Sequence, residues 1–257
     1  MVMARVMVIT NEKGGTSKST TTFNLAWKEA ETGKKVCIID LDPQEANISF
    51  IAGVEKDSEM KTIMSYLREG EDIRKAVQFC NEKNPNLHII PADLEVASLE
   101  KSDVRKMRKA IEELSQWYDV IYIDVPPSPG AAHAVSLSVA TDVIVVLLPD
   151  VTSLAAVKGI LGTIQAIRDN VNPELNIVGL LFNQFNNRTR LGKQVETMAQ
   201  NMASQLGTTV MDTKIRSNVT ISEAGAMHEG VTSYDSTSNG AADFNSLYYE
   251  VMAKVKG

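Results

Sequence analysis

The 257-residue chain predicts an α/β fold, a mostly parallel, twisted β-sheet with helices on both faces. Two observations predict it. Short runs rich in Val and Ile recur along the whole chain, and longer stretches with helical spacing separate them. The runs are also continuously apolar rather than alternating, as expected of parallel strands covered on both sides. No linker, low-complexity tract or internal repeat interrupts the pattern, so residues 1–257 are expected to form one domain.

The elements follow in order. "RVMVIT" (5–10) is a first strand, and its apolar flank is too short for a membrane span and lacks a leader-like cleavage pattern. A glycine-containing loop follows. "STTTFNLAWKEAETG" then reads as a helix, with Phe23, Leu25, Ala26, Trp27 and Ala30 apolar and Gly33 ending it. "KVCIID" (35–40), "NLHIIPAD" (86–93), "DVIYID" (119–124), "DVIVVLL" (142–148) and "LNIVGLLFN" (175–183) are the remaining strands. Helices are expected near 58–69, 94–116, 130–140, 152–170, 189–206 and 239–255.

A formal net charge of −6 argues against general affinity for polyanions and leaves room only for local basic patches. Cys37 and Cys80 have apolar neighbours and no metal-ligand spacing, so they read as structural thiols.

The loop "NEKGGTSKST" (11–20) lies directly after a strand and before a helix, the context of a phosphate-binding P-loop. A helix N-terminus offers free N–H groups and a positive dipole end to phosphate. Gly14 and Gly15 let the backbone of residues 14–20 (Gly14, Gly15, Thr16, Ser17, Lys18, Ser19, Thr20) curve around oxygens. Lys18 can reach the β- and γ-phosphates, and the Ser19 hydroxyl can ligate Mg²⁺. The usual pattern G-x-x-x-x-G-K-[ST] nevertheless fails twice, at Glu12 and Ser17. If position 17 requires a positive φ, serine there costs about 1 kcal/mol relative to glycine. Lys13 has no role in the usual pattern. Lysines are ordinarily solvated, but at the loop's start this one can serve a phosphate outside its own cradle.

A phosphate loop needs carboxylates nearby to hold Mg²⁺ and orient water. Asp40 and Asp42 in "IIDLDPQEAN" and Asp124 in "VIYIDVPPSPG" end or follow strands at the carboxyl edge of the sheet, where ligands gather in such folds. Plain turn or capping roles are the competing reading for each. The segments "DPQEANISF" and "DVPPSPGAA" are candidates for nucleotide-dependent movement.

These motifs together resemble the ParA/MinD family of deviant Walker-A (SIMIBI-type) P-loop ATPases, whose loop is K-G-G-x-x-K-[ST]. Lys13, Gly14, Gly15, Lys18 and Ser19 match it. "IIDLDPQEAN", "NNRTRLGKQV" and "IRSNVTISEAGAMHEGVTSYDSTSNGAADF" are similar to partition-ATPase motifs, so the resemblance runs over nearly the whole chain and is closer to ParA/Soj than to MinD.

The resemblance implies slow, partner-stimulated ATP hydrolysis with ATP and Mg²⁺. Lys13 would reach the partner's phosphates across an ATP-sandwich homodimer, and Lys18 would bind β- and γ-phosphates. Asp42 would orient water, and Ser19, Asp40 and Asp124 would serve the metal. Asn183, at a strand end, would recognise adenine or act as a cap. The resemblance also implies nonspecific DNA binding, a ParB-type partner, plasmid or chromosome cargo, and a cytoplasmic, nucleoid-associated protein without stable membrane association. Candidate DNA contacts are Arg188, Arg190, Lys193, Lys214 and Arg216, although Thr220 and Arg216 depart from the family's usual Arg and Pro. No N-terminal helix-turn-helix extension is expected. The alternatives are a MinD-like membrane cycler using an amphipathic "NSLYYEVMAKVKG", or a positioner of non-DNA cargo.

Overall fold

The computed structural model describes residues 3–44, 48–55, 59–186, 190–205 and 207–255. Seven strands form one sheet: β1 (Arg5–Thr10), β2 (Val36–Asp40), β3 (Gln78–Phe79), β4 (Leu87–Ile90), β5 (Val120–Asp124), β6 (Asp142–Leu147) and β7 (Asn176–Phe182). Their order is β3-β4-β2-β5-β1-β6-β7, and all pairs are parallel except β3 with β4. The order reverses around β1. The chain leaves β1 toward β2 on one side, whereas β5 leads across β1 to β6 on the other, and such a switch point opens a crevice at the strands' carboxyl ends.

The continuous apolar strands divide by residue parity between two cores. Val6, Val8, Ile121, Ile123, Val143 and Val145 pack on one face, while Met7, Ile9, Tyr122, Ile144 and Val146 pack on the other. On the first face lie α3 (Val104–Leu114), α4 (Ala131–Val139), α5 (Val151–Asn170) and α6 (Arg190–Gln205). On the second lie α1 (Lys18–Glu31), α2 (Ile48–Ile51), α7 (Val219–Ala226), α8 (Val231–Tyr234) and α9 (Asn239–Lys254). The expected fold class therefore holds.

Some expected boundaries shift. The helix expected over 94–116 is broken: a 3₁₀ turn covers Leu94–Ser98, and Leu99 turns extended to bury its side chain. Glu100 and Asp103 then form a reciprocal capping box that restarts the chain into α3. Of the helix expected over 58–69, the described portion includes a π-helical turn at Ser65–Glu69, ended by left-handed Gly70. The short elements α2, β3, α7 and α8 were not anticipated. Neither cysteine is bridged; Cys37 is buried and Cys80 half-buried.

Helix α9 buries Phe244, Leu247, Tyr248 and Val251 in the second core. The apolar face that a membrane-surface helix needs is thus already used. Among the described residues, no helix is long and apolar enough to cross a membrane.

Candidate nucleotide site

The loop between β1 and α1 is held from its first residue. Buried Asn11 donates through Nδ2 to the Val146 carbonyl at 2.6 Å, and its Oδ1 accepts the Lys13 N–H at 2.8 Å. The Thr16 hydroxyl donates to the Lys13 carbonyl at 3.2 Å. Gly14 and Gly15 lie exposed on the loop, and Gly15 has φ +71°. A Cβ on Gly14 would meet Pro127 at 3.7 Å, so the loop after Asp124 lies against the phosphate loop.

Ser17 takes the left-handed conformation, φ 64° and ψ 34°, immediately before α1. The positive φ that would make serine costly is therefore present. Ser17→Gly is expected to stabilise the protein by about 1 kcal/mol, which raises Tm by about 2–4 °C in a thermal melt. An unchanged or lower Tm would show that serine's own contacts offset the strain. One such contact is present: Gln184, itself at φ 51°, donates through Nε2 to the Ser17 Oγ at 3.2 Å.

The side chains that follow converge on buried carboxylates. Ser19 Oγ donates to Asp124 Oδ2 at 2.6 Å, and Thr22 Oγ1 reaches Asp124 Oδ1 at 3.3 Å. Asp40 and Asp124 are register partners on adjacent strands. Asp40 accepts the Ser49 hydroxyl at 2.6 Å and the Asp42 N–H at 2.9 Å, which hangs α2 and the Asp42 turn on one carboxylate. Asp42 in turn accepts the Gln44 N–H at 3.1 Å. Burial, then the neighbouring Asp40, push the Asp124 carboxyl up to about 7. Two buried carboxylates beside a hydroxyl form a donor set that suits a hard divalent cation, whose charge would relieve their repulsion. Lys18 is buried; its Nζ donates to the Lys13 carbonyl at 3.3 Å, and desolvation outweighs Asp124 and Asp42 in lowering its pKa.

Lys13 goes elsewhere. Its Nζ contacts both carboxylate oxygens of Asp150 at 3.0 Å, Thr152 Oγ1 at 2.7 Å and Ser153 Oγ at 3.3 Å. Asp150 also caps α5 by accepting the Ser153 N–H at 2.7 Å. Its pKa lies at about 2: burial raises it, but the Thr152, Lys13 and Ser153 hydrogen bonds more than offset that.

Asn183 is buried between the loop and α1. Its Nδ2 donates to the Thr16 carbonyl at 2.9 Å and to Thr21 Oγ1 at 3.1 Å, while Oδ1 has no partner. Among the described residues, its Oδ1 thus accepts no helix N–H. With Ser17, Thr20, Gln184, Arg216 and Phe244 it lines a cavity of about 270 Å³ beside the loop.

Of the five candidate DNA contacts, three have described side chains, and two of these are engaged within the chain. Arg188 and the Arg190 side chain lie outside the described residues. Lys193 is exposed on α6. Lys214 is paired with Glu196 and stands 4.8 Å over the Phe185 ring. Arg216 is held by Asp243 through Nε and Nη2 and donates to the Asn239 carbonyl.

Three residues that sequence reasoning missed complete the site. Asp150 and Ser49 carry no local motif, and only folding brings them to Lys13 and Asp40. The third is His133. Its Nε2 lies 3.0 Å from the Pro126 carbonyl and must donate, leaving Nδ1 to accept from Thr10 Oγ1 at 2.9 Å. This neutral imidazole ties the end of β1 to the loop after Asp124. Burial, then Lys18, hold its pKa down to about 4, against 6.5 ordinarily. The unfolded chain takes up this proton first, so the neutral ring's stabilisation is full above pH 6.5 and is lost as pH falls toward 4. The loss is up to about 3 kcal/mol at ~1.4 kcal/mol per pH unit. His133→Gln is expected to flatten the pH dependence of urea unfolding across that window; an equally steep dependence would assign the effect elsewhere.

Strand, loop, helix and facing acidic strand ends define a P-loop nucleotide-binding protein of the deviant Walker-A type. Comparison with known proteins agrees. Residues 4–177 match the family model described as an AAA domain. The chain is 31% identical to the sporulation initiation inhibitor protein Soj of Bacillus subtilis, covering 98% of this chain and 99% of that one. It is 32% identical to the chromosome-partitioning ATPase Soj of Thermus thermophilus, covering 100% and 99%. The solved structure of the septum site-determining protein MinD with Mg-ADP from Pyrococcus horikoshii superposes with a TM-score of 0.77 at 25% identity, covering 97% and 96%. The chain belongs to the ParA/Soj-type partition ATPases.

Proposed function

We propose that residues 1–257 act as one ATPase domain, which binds ATP at the loop, forms an ATP-sandwich homodimer, binds DNA without sequence preference and positions plasmid or chromosome cargo with a ParB-type partner. The observation that carries this reading is the division of labour between two lysines. Lys18 folds into its own loop, whereas Lys13 is held on the start of α5 by contacts that a stronger anion can replace.

In this reading the backbone of residues 14–20 and the Lys18 ammonium bind the phosphates. Ser19 and Asp124, with Asp40 behind them, hold Mg²⁺, whose chemistry when bound is to neutralise charge on the β- and γ-phosphate oxygens. Asp42 orients water, and its position is set by the bond from its N–H to Asp40. Asn183 presents an unpartnered buried acceptor, which suits the exocyclic amino donor of adenine. Lys13 leaves Asp150 and crosses to the partner's phosphates. Turnover is slow until the partner protein stimulates it.

The test is gel filtration and DNA mobility shift with ATP and Mg²⁺. Wild type is expected to dimerise and shift mixed-sequence DNA with ATP but not ADP, and Asp42→Ala to remain trapped in the DNA-bound form. A monomer that ignores DNA with either nucleotide would overturn the reading.

A further inference from the structure

The structure places an uncommitted cationic stripe where no motif had pointed. Lys101, Arg105, Lys106, Arg108 and Lys109 fall within nine residues of a chain with a formal net charge of −6, and all five are exposed. Among the described residues, Lys101 and Arg105 have no side-chain partner. Lys106 and Arg108 donate to the backbone carbonyls of Leu67 and Ser138, at 2.7 and 3.5 Å, and Lys106 also lies within electrostatic reach of Asp103. Lys109 has only a loose ion pair with Glu113 at 3.7 Å.

Most other described cations are already neutralised. Lys13, Lys83, Lys214 and Arg216 each have a carboxylate partner. The acids beside the stripe are largely consumed in the same way: Asp103 pairs with Arg68, Glu71 with Lys75 and Asp72 with Arg74. Two exposed acids remain beside the stripe: Glu112 on α3, and Glu100 next to Lys101, which accepts the Ser102 hydroxyl and takes part in the capping box. Apart from buried Lys18, the described cations without a carboxylate partner elsewhere (Lys35, Lys158, Arg168 and Lys193) are spread along the chain rather than clustered.

Geometry makes the stripe linear. Arg105 and Lys109 lie one α-helical turn apart, about 6 Å at ~1.5 Å per residue, and Lys101 precedes them in the 3₁₀ turn Lys101–Asp103 that leads into α3. The apolar residues of α3 (Met107, Ala110, Ile111 and Leu114) are all buried, so this face has nothing to insert into a bilayer. Lys101 also lines a cavity of about 670 Å³ together with Glu12 of the phosphate loop and Pro129 of the loop after Asp124. The stripe thus begins beside the elements that would respond to nucleotide.

We infer that this exposed face, Lys101, Arg105, Arg108 and Lys109, is a docking surface for the phosphate backbone of DNA. The inference rests on the DNA-binding reading above and adds a contact surface at the start of α3 to the candidates Arg188, Arg190, Lys193, Lys214 and Arg216.

The test uses the full chain with ATP and Mg²⁺ and a fluorescent mixed-sequence duplex, titrated between about 50 and 200 mM salt. The variants are Lys101→Gln/Arg105→Gln/Lys109→Gln, Arg105→Glu and Arg105→Gln singly, and Lys158→Gln as a control. Each phosphate contact contributes about 0.9 to the slope of log K against log salt, so the triple variant is expected to lose about 2.7 and bind ~10²–10³-fold more weakly at 0.1 M. Its ATP affinity and basal turnover are expected to be unchanged. Charge reversal in Arg105→Glu is expected to weaken binding beyond a neutral Arg105→Gln, which a purely structural role would not predict. Wild-type binding with an unchanged slope in the triple variant would overturn the α3 surface and leave the DNA reading intact. Wild type that ignores DNA but binds polyglutamate or phosphatidylglycerol vesicles through the stripe would overturn the assignment to DNA. Wild type that binds none of these would overturn both readings.

Discussion

Lys13→Ala is expected to lower ATP turnover by about 10³-fold while leaving nucleotide affinity within a few-fold of wild type. A cation supplied to developing phosphoryl charge from outside the cradle contributes about 10³–10⁵ in rate. The cradle itself is untouched, because Lys18, Ser19 and the loop N–H groups do not depend on the Lys13 side chain. The substitution leaves Asp150 with its capping bond from Ser153 and its contact from Thr152, so folding should survive. Single-turnover hydrolysis beside equilibrium binding of a fluorescent ATP analogue separates the two quantities. Unchanged turnover would remove Lys13 from the reaction, and a matching loss of binding would make it part of the cradle. Asp150→Ala should act in the opposite sense on assembly, because it frees Lys13 from its intramolecular site and lowers the ATP concentration needed for dimerisation in gel filtration.

Arg5→Met is expected to destabilise the protein by about 3–5 kcal/mol, the range for stranding one member of a buried ion pair. At the end of the sheet opposite the phosphate loop, Glu29 is fully buried and accepts from the Arg5 guanidinium, the Tyr122 hydroxyl at 2.8 Å and Lys34 at 3.3 Å. These contacts fasten α1 to the start of β1 and to β5. Without Arg5 the carboxylate keeps a phenol and the partly exposed Lys34, too little to offset desolvation. Tm should fall by about 6–20 °C. The double variant Arg5→Met/Glu29→Leu should recover most of that loss, because replacing both charges removes the desolvation cost together with the attraction. A double variant no more stable than Arg5→Met would show that the pair itself, rather than the stranded charge, supplies the stability.

Much of the architecture was legible in the chain because its signals are local. Val6–Ile9, Val36–Ile39, Val120–Ile123 and Val143–Leu147 are continuous apolar runs, and continuity reports a strand covered on both faces wherever it ends up in the sheet. Boundaries failed where a side-chain bond overrode periodicity. The Glu100–Asp103 capping box splits a stretch whose apolar spacing reads as a single helix, and reciprocal bonds of that kind depend on backbone geometry. Short elements such as α2 span too few residues to show a period.

By itself, the sequence determined the phosphate loop, its lysines and hydroxyls, the strand-end aspartates and the family, because each is carried by a short stretch of strand and turn that can be read locally. Only the tertiary structure decided which partners they have. Lys13 meets Asp150 from 137 residues away, Ser19 meets Asp124 from 105, and Asn183 reaches Thr16 from 167. It likewise decided which cations are neutralised, pairing Arg216 with Asp243 and, among the described residues, leaving Lys101 and Arg105 without side-chain partners. The physical reason is the range of each interaction: hydrophobic period and turn chemistry act along the chain, whereas an ion pair is made or missed within a few ångströms, across elements that only the finished sheet brings together.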